Sequence, residues 1–192
     1  MSNTDKTRCP WCGTDPTYVR YHDEEWGVPV HDDLKHFEFL VLESAQAGLS
    51  WLTVLRKREN YRKAMDGFDP SKIALYDDKK LNELLQNVGI IRNRLKIKAT
   101  INNAQKFLEI AEEYGSFDKY IWSFTNNKSI VNQFKALSEL PAKTSLSDKI
   151  SLDLKKRGFK FVGSTIIYAH LQAIGVVNDH LTDCFRFQNV SH

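Results

Sequence analysis

Cysteine and histidine stand in pairs at the two ends of this chain: Cys9 and His22 near the start, His180 and Cys184 near the finish. Thiolate and neutral imidazole are the preferred ligands of zinc, and four of them close a tetrahedral shell. If all four hold one ion, the two ends of the chain must meet, which rules out most topologies. Such a shell has no open position, so it braces a fold and the chemistry belongs elsewhere. His180 and Cys184 are spaced to share one face of a helical turn. Spacing leaves two matters open. Cys9-Pro-Trp-Cys12 also reads as half of a zinc ribbon, although the one other cysteine is Cys184. Nothing in the spacing decides between Cys9 and Cys12, and both could be plain surface thiols.

With 192 residues, 42% hydrophobic and 27% charged, the chain can bury a sizeable core. One domain over residues 1–192 is expected, with about 1–8 and 186–192 as flexible tails. No apolar run approaches the roughly 20 residues that span a bilayer, which predicts no membrane partner. The Met1 to Lys6 stretch lacks the apolar core of a signal peptide, which predicts a cytoplasmic protein. In that reducing compartment three cysteines favour metal or thiolate chemistry over disulfides. A net charge of +3 is compatible with a nucleic-acid partner without selecting one.

The hydrophobic pattern is helical almost throughout, with no alternating strand, and predicts an all-α domain. Asp32-Asp33 starts a helix carrying Leu34, Phe37, Leu40 and Val41 at core spacing, which stops near Gly48. A basic helix follows from Trp51 to Met65. Asp69-Pro70 is a cap with proline at the first helical position. Asp77-Asp78 opens another helix, and a longer one runs from about Arg92 to Tyr114. Ser116 to Phe124 is short and aromatic, and residues 125–146 read as a surface loop. The last two helices run from Ser147 to Arg157 and from Ser164 to Ile174.

Between those last two helices lies a turn bounded by Gly158 and Gly163, flanked by Lys155, Lys156, Arg157 and Lys160. Glycine lets a partner approach the backbone, and the next helix start presents free N–H groups that favour an anion. This is the physics of a phosphate clamp that positions DNA without reading sequence. An ordinary helical hairpin with a solvated basic face fits the same residues.

Glu43 falls beside an apolar stripe, four residues after Phe39 and four before Ala47. An ionised carboxylate is costly there unless it is paired. Trp11, Tyr18, Tyr21, Trp26 and Trp51 lie near it in sequence. Aromatic faces with one carboxylate suit a planar, positively charged heterocycle, whereas simple core packing is the bland alternative.

Together these segments resemble the bacterial 3-methyladenine DNA glycosylase I family. The resemblance runs from Cys9 to Cys184. It is carried by Cys9-Pro-Trp11, by Asp15-Pro-Thr-Tyr18-Val-Arg-Tyr21-His22-Asp-Glu-Glu-Trp26-Gly-Val-Pro29 and by Leu42-Glu43-Ser-Ala-Gln-Ala-Gly48-Leu49-Ser-Trp51. Lys155-Lys-Arg-Gly-Phe-Lys-Phe-Val-Gly163 and Val177-Asn-Asp-His180-Leu-Thr-Asp-Cys184 complete it.

The resemblance implies a helix-hairpin-helix DNA repair fold whose turn at Lys160, Gly163 and Ser164 grips a DNA phosphate. It implies one structural zinc ion on Cys9, His22, His180 and Cys184, with Cys12 a bystander. Glu43 would contact the exocyclic amine of a flipped base, with Trp51 and Tyr21 stacked on it. Tyr18, Trp26 and Trp11 would line the same pocket, and Gly48-Leu49 would enter the duplex. Many enzymes of that superfamily carry a catalytic aspartate after the second hairpin helix. Here Asn178-Asp179-His180 stands there, and the resemblance implies that no such aspartate acts. The implied substrate is alkylated double-stranded DNA, with free 3-methyladenine released by hydrolysis and no lyase step. A monomer is the simplest expectation. A DNA-binding module without activity would not need Glu43 with Tyr21 and Trp51, and a zinc hydrolase would need an open ligand position.

Overall fold

In the computed structural model, which describes residues 6–189, short polar side chains start the helices one after another. Asp15 starts α1 (Pro16–Glu24): its carboxylate accepts from the N–H groups of Thr17 and Tyr18, and Pro16 takes the first helical position. Asp-Pro is the same signal that predicts a helix at Asp69, although the helices expected from the sequence begin only at Asp32. Asp32 caps α2 (Asp33–Gln46), and Ser50 caps α3 (Trp51–Ala64). Asp69 caps α4 (Pro70–Ile73), and Asp77 caps α5 (Asp78–Gln86). Asn93 caps α6 (Arg94–Tyr114), which ends at a left-handed Gly115. Ser116 caps α7 (Phe117–Ser123). The helix expected from Ser147 is α8 (Ser145–Lys156), because Thr144 and Ser147 form a reciprocal capping box one turn earlier. After a turn comes α9 (Ser164–Ala173).

The all-α expectation holds with one correction. Ile130–Val131 (β1) and Val177–Asn178 (β2) pair in parallel, Ile130 against Val177. Two residues are too few for an alternating pattern to register in sequence. The pairing ties the expected surface loop, residues 125–146, to the segment that carries His180.

Helix α2 packs against α3, α6, α7 and α9. Its residues from His36 to Ala45 are all buried, so it is the central helix rather than a one-sided amphipathic one. Leu34, expected in the core, is exposed in its first turn. Phe37, Phe107, Phe117 and Leu42 belong to a continuous hydrophobic core. Among the described residues no helix is long and apolar enough to cross a membrane. The two ends lie side by side: Phe185 N–H donates to Thr7 O at 2.9 Å, and Arg8 forms a two-pronged pair with Asp23. Of the expected tails, residues 1–5 and 190–192 lie outside the described residues.

Much of the basic character of α3 is consumed internally. Arg56 pairs with Asp15, and Arg58 bonds both Glu25 oxygens and Glu38 Oε1 at 2.8 Å. Burial acts against charge on Glu25 and Glu38, but Arg58 outweighs it and holds both carboxyls below their usual range. Arg58→Met is expected to cost about 3 kcal/mol, since it leaves Glu38 buried with less compensation. Lys35 and Arg62 also pair with Glu38; urea unfolding measures the loss, and a value near zero would show that these two suffice.

Candidate active site and metal cluster

The chain from Cys9 to Trp26 folds back over the start of α3 and brings five aromatic rings together. A 3-10 turn at Pro10–Cys12 presents Trp11, while Tyr18 and Tyr21 lie one turn apart on α1. Trp11 packs against Tyr18 at 5.0 Å and edge-on to Trp26 at 4.8 Å; Tyr21 meets Trp51 at 5.5 Å. The Trp26 segment is fixed by Gly27 N–H to Gln172 O and Val30 N–H to Ile174 O. Gly175 makes that docking possible: at φ +70 it leaves room where a Cβ would lie 2.4 Å from the Val28–Pro29 backbone.

These rings form the wall of an open cavity of about 260 Å³ lined by all six residues expected there: Trp11, Tyr18, Tyr21, Trp26, Glu43 and Trp51. Glu43 is only 3% exposed, and no hydrogen bond or ion pair engages its carboxylate among the described residues. Burial pushes its carboxyl up to about 8. Glu38, one and a half turns earlier on the same helix, has Arg58; Glu43 has only the cavity. A buried acceptor without a partner costs stability, so the arrangement favours a ligand that brings hydrogen-bond donors or positive charge.

Gln46, Leu137, Leu140, Ala169 and Gln172 also line the cavity and escape the sequence reading. Helical spacing could have found Gln46, which lies one turn beyond Glu43. Leu137 and Leu140 carry no chemical signature, and they reach the cavity from the 125–146 segment.

Beyond α2, Gly48 takes φ +81 and Leu49 is 43% exposed at the surface. On the same molecule, α8 and α9 pack together around their glycine-bounded turn. Gly163 is the N-cap of α9 and supplies no side-chain cap, and a Cβ there would meet open space. The first N–H groups of α9 therefore remain available to a partner. Ser164 Oγ lies 2.8 Å from Ser147 Oγ, and Lys160 is exposed. Arg157, one of the basic residues flanking the turn, is turned back onto Asp153 and Glu113.

The four end residues do come together. Ligand atoms of Cys9, His22, His180 and Cys184, all buried, lie within 4.8 Å of one another. Cys9 Sγ is 3.6 Å from His180 Nδ1, and Cys184 Sγ is 3.5 Å from both His180 Nδ1 and His22 Nε2. A tetrahedron with metal–sulfur and metal–nitrogen bonds of about 2.3 and 2.0 Å has sulfur–nitrogen edges of about 3.5 Å. The outer contacts agree. His22 Nδ1 faces Asp23 Oδ1 at 2.8 Å and His180 Nε2 faces Trp26 O at 2.9 Å. In each case the far ring nitrogen donates its N–H to the acceptor, which leaves the near lone pair aimed at the cluster. The residues fit a metal ion. Cys12 is buried beside the cluster and outside it, its Sγ donating to Gly13 O at 3.8 Å, so neither thiol is a surface group.

Asp179 is buried and saturated. It accepts from Asn132 Nδ2 and Gln172 Nε2, both at 2.7 Å, and from Tyr168 OH. Asn178 Oδ1 accepts from His180 N–H at 3.1 Å.

Residues 11–187 match the methyladenine glycosylase family. DNA-3-methyladenine glycosylase 1 of Escherichia coli (strain K12) is 51% identical over 177 residues, 92% of this chain and 95% of that protein. A crystal structure of 3-methyladenine DNA glycosylase I is 50% identical with a TM-score of 0.90, covering 93% of this chain and 98% of the other. A variant of such an enzyme, crystallised in complex with 3-methyladenine, is 38% identical with a TM-score of 0.91, covering 94% and 97%. Profile, sequence and backbone agree over nearly the whole length: the chain belongs to the methyladenine glycosylase family of N-glycosyl hydrolases.

Proposed function

We propose that the protein turns 3-methyladenine out of duplex DNA into the aromatic cavity and hydrolyses its N-glycosidic bond, leaving an abasic site. The observation that carries this reading is Glu43, a buried carboxylate without a partner in a box of aromatic rings. The names of the relatives and the 3-methyladenine complex of one of them support it.

A 3-methylated adenine nucleoside is cationic, so its glycosidic bond is already weak and the base leaves neutral. Modest assistance suffices. Tyr21 and Trp51 stack on the base, Tyr18, Trp26 and Trp11 close the box, and Glu43 accepts from the exocyclic amine while its charge favours the cation. Water adds to the sugar carbon as the base departs and releases a proton to solvent. Asp179 is spent on three internal donors, which suits a reaction without a catalytic aspartate at that place. Among the described residues no lysine lines the cavity, which favours hydrolysis without a Schiff base.

The turn between α8 and α9 serves as a helix-hairpin-helix phosphate grip: the open N–H groups of α9 behind Gly163 and Ser164, with the Lys160 charge, hold one backbone phosphate. Leu49, on the Gly48 turn, fills the gap that the extruded nucleotide leaves in the stack. Cys9, His22, His180 and Cys184 hold one zinc ion, which when bound braces the fold and takes no part in the chemistry. The working form is a monomer in the bacterial cytoplasm, acting at the nucleoid.

Incubating the metal-loaded protein with methylated duplex DNA and identifying the released base by chromatography tests the reading. Free 3-methyladenine is expected, with no borohydride-trapped protein–DNA adduct. A folded, metal-loaded sample that releases no 3-methyladenine would overturn it.

A further inference from the structure

Helix α6 touches both parts of the surface assigned to DNA. In its first turn, Lys96 Nζ donates to Ala45 O at 2.9 Å and to Ala47 O at 2.6 Å. These carbonyls belong to the last turn of α2 and its C-cap, just ahead of Gly48 and Leu49. About two turns further along α6, Asn103 grips the other loop. Its Nδ2 donates to Lys160 O and its Oδ1 accepts from Lys160 N–H, both at 2.8 Å. Asn102 adds a bond to Gly158 O at 2.9 Å. One helix thus holds the turn after α2 and the turn before α9 at a set separation.

Lys96 is badly placed for its own helix. The first turn of α6 has no acidic residue and carries Arg94 and Lys96, cations at the positive end of the macrodipole. The same ammonium group is well placed for α2, whose last carbonyls lack intrahelical partners and attract a cation. The local mismatch is offset only across the tertiary contact. Beyond that contact the backbone is held by Leu49 N–H to Gln46 O, while the Leu49 side chain stands partly in solvent.

We propose that Lys96 is a positioning residue for the wedge. It holds the Ala47–Leu49 backbone so that Leu49 enters the duplex as the base leaves it, at a distance from the phosphate grip set by α6. The inference rests on the DNA reading above. Lys96 does not line the base cavity, so its effect passes through Leu49.

The test compares wild type, Lys96→Met and Lys96→Arg as metal-loaded full chains. Two quantities are measured: the single-turnover rate of 3-methyladenine release from methylated duplex DNA, and affinity for free 3-methyladenine from quenching of tryptophan fluorescence. Methionine keeps an apolar stem and removes the donors. The rate for Lys96→Met should fall roughly 10- to 100-fold, as expected for a small misplacement of a reacting geometry. Free-base affinity should stay within about twofold, because the wedge is not part of the cavity. Lys96→Arg should recover most of the rate, since a guanidinium can reach two carbonyls. An unchanged rate for Lys96→Met overturns the proposal. So does a parallel loss of free-base affinity, which would make Lys96 a support for the cavity. A wild type that releases no base fails in the first measurement and overturns the reading of function along with the proposal.

Discussion

Glu43→Gln is expected to lower 3-methyladenine excision by about 10- to 100-fold, the worth of a hydrogen bond to a charged group, and at the same time to stabilise the protein at neutral and higher pH. The two effects share one cause. Burial raises the Glu43 carboxyl to about 8 from an ordinary 4.5. Between those values the native state binds a proton that the unfolded chain has released. Stability therefore falls as pH rises across that window, and the deficit is complete above about 8. Glutamine does not titrate, so the variant escapes the deficit. Its advantage should be of order 4 kcal/mol at most at pH 8, reduced by the cost of burying an amide, and should shrink toward pH 4.5. Urea unfolding of both proteins at pH 5 and pH 8 measures the difference. An advantage that does not change with pH would mean that Glu43 is solvated or paired in solution.

Stripping the proposed metal should produce the largest loss of stability. The four residues proposed to hold it join the chain ends, and the free energy of filling a folded site is folding free energy. Cys184→Ser, or treatment with a strong chelator, is expected to cost at least about 3 kcal/mol, roughly 6–12 °C in melting temperature for a chain of this size. The damage should spread to the cavity through two bonds. His22 follows Tyr21 directly on α1, and His180 Nε2 is fixed by the carbonyl of Trp26. Affinity for 3-methyladenine should therefore fall along with stability. Cys12→Ser should keep its metal by elemental analysis, because Cys12 lies outside the shell. Metal lost from the Cys12 variant and kept in a Cys9→Ser variant would reverse the assignment of ligands.

Features written in a few adjacent residues are legible in the amino-acid sequence alone. Asp32, Asp69 and Asp77 each announce a helix through a short side chain ahead of an apolar pattern, and each caps one. Glu43 stands out because a charge on an apolar stripe violates a local rule, and such violations gather at functional sites. Helix α1 escapes that reading although Asp15-Pro16 carries the same signal, because its dense aromatics point toward a binding surface instead. Long-range pairings leave no local trace. The β1–β2 contact, the entry of Leu137 and Leu140 into the cavity, and the turning of Arg157 onto Glu113 each join residues far apart in sequence. Spacing alone does not choose between Cys9 and Cys12. Geometry does, because Cys9 Sγ approaches His180 Nδ1 while Cys12 Sγ turns to a backbone carbonyl.

The most direct test of the central claim, that Glu43 in its aromatic box recognises the damaged base, is the pH profile of kcat/KM for 3-methyladenine release, with spontaneous loss subtracted. A cationic nucleotide favours ionised Glu43, which the free protein protonates below about 8. The wild-type value should rise with pH toward 8 and level off above it. Glu43→Gln should give a lower profile without that rise. An undiminished Glu43→Gln enzyme, or two profiles of the same shape, would contradict the account.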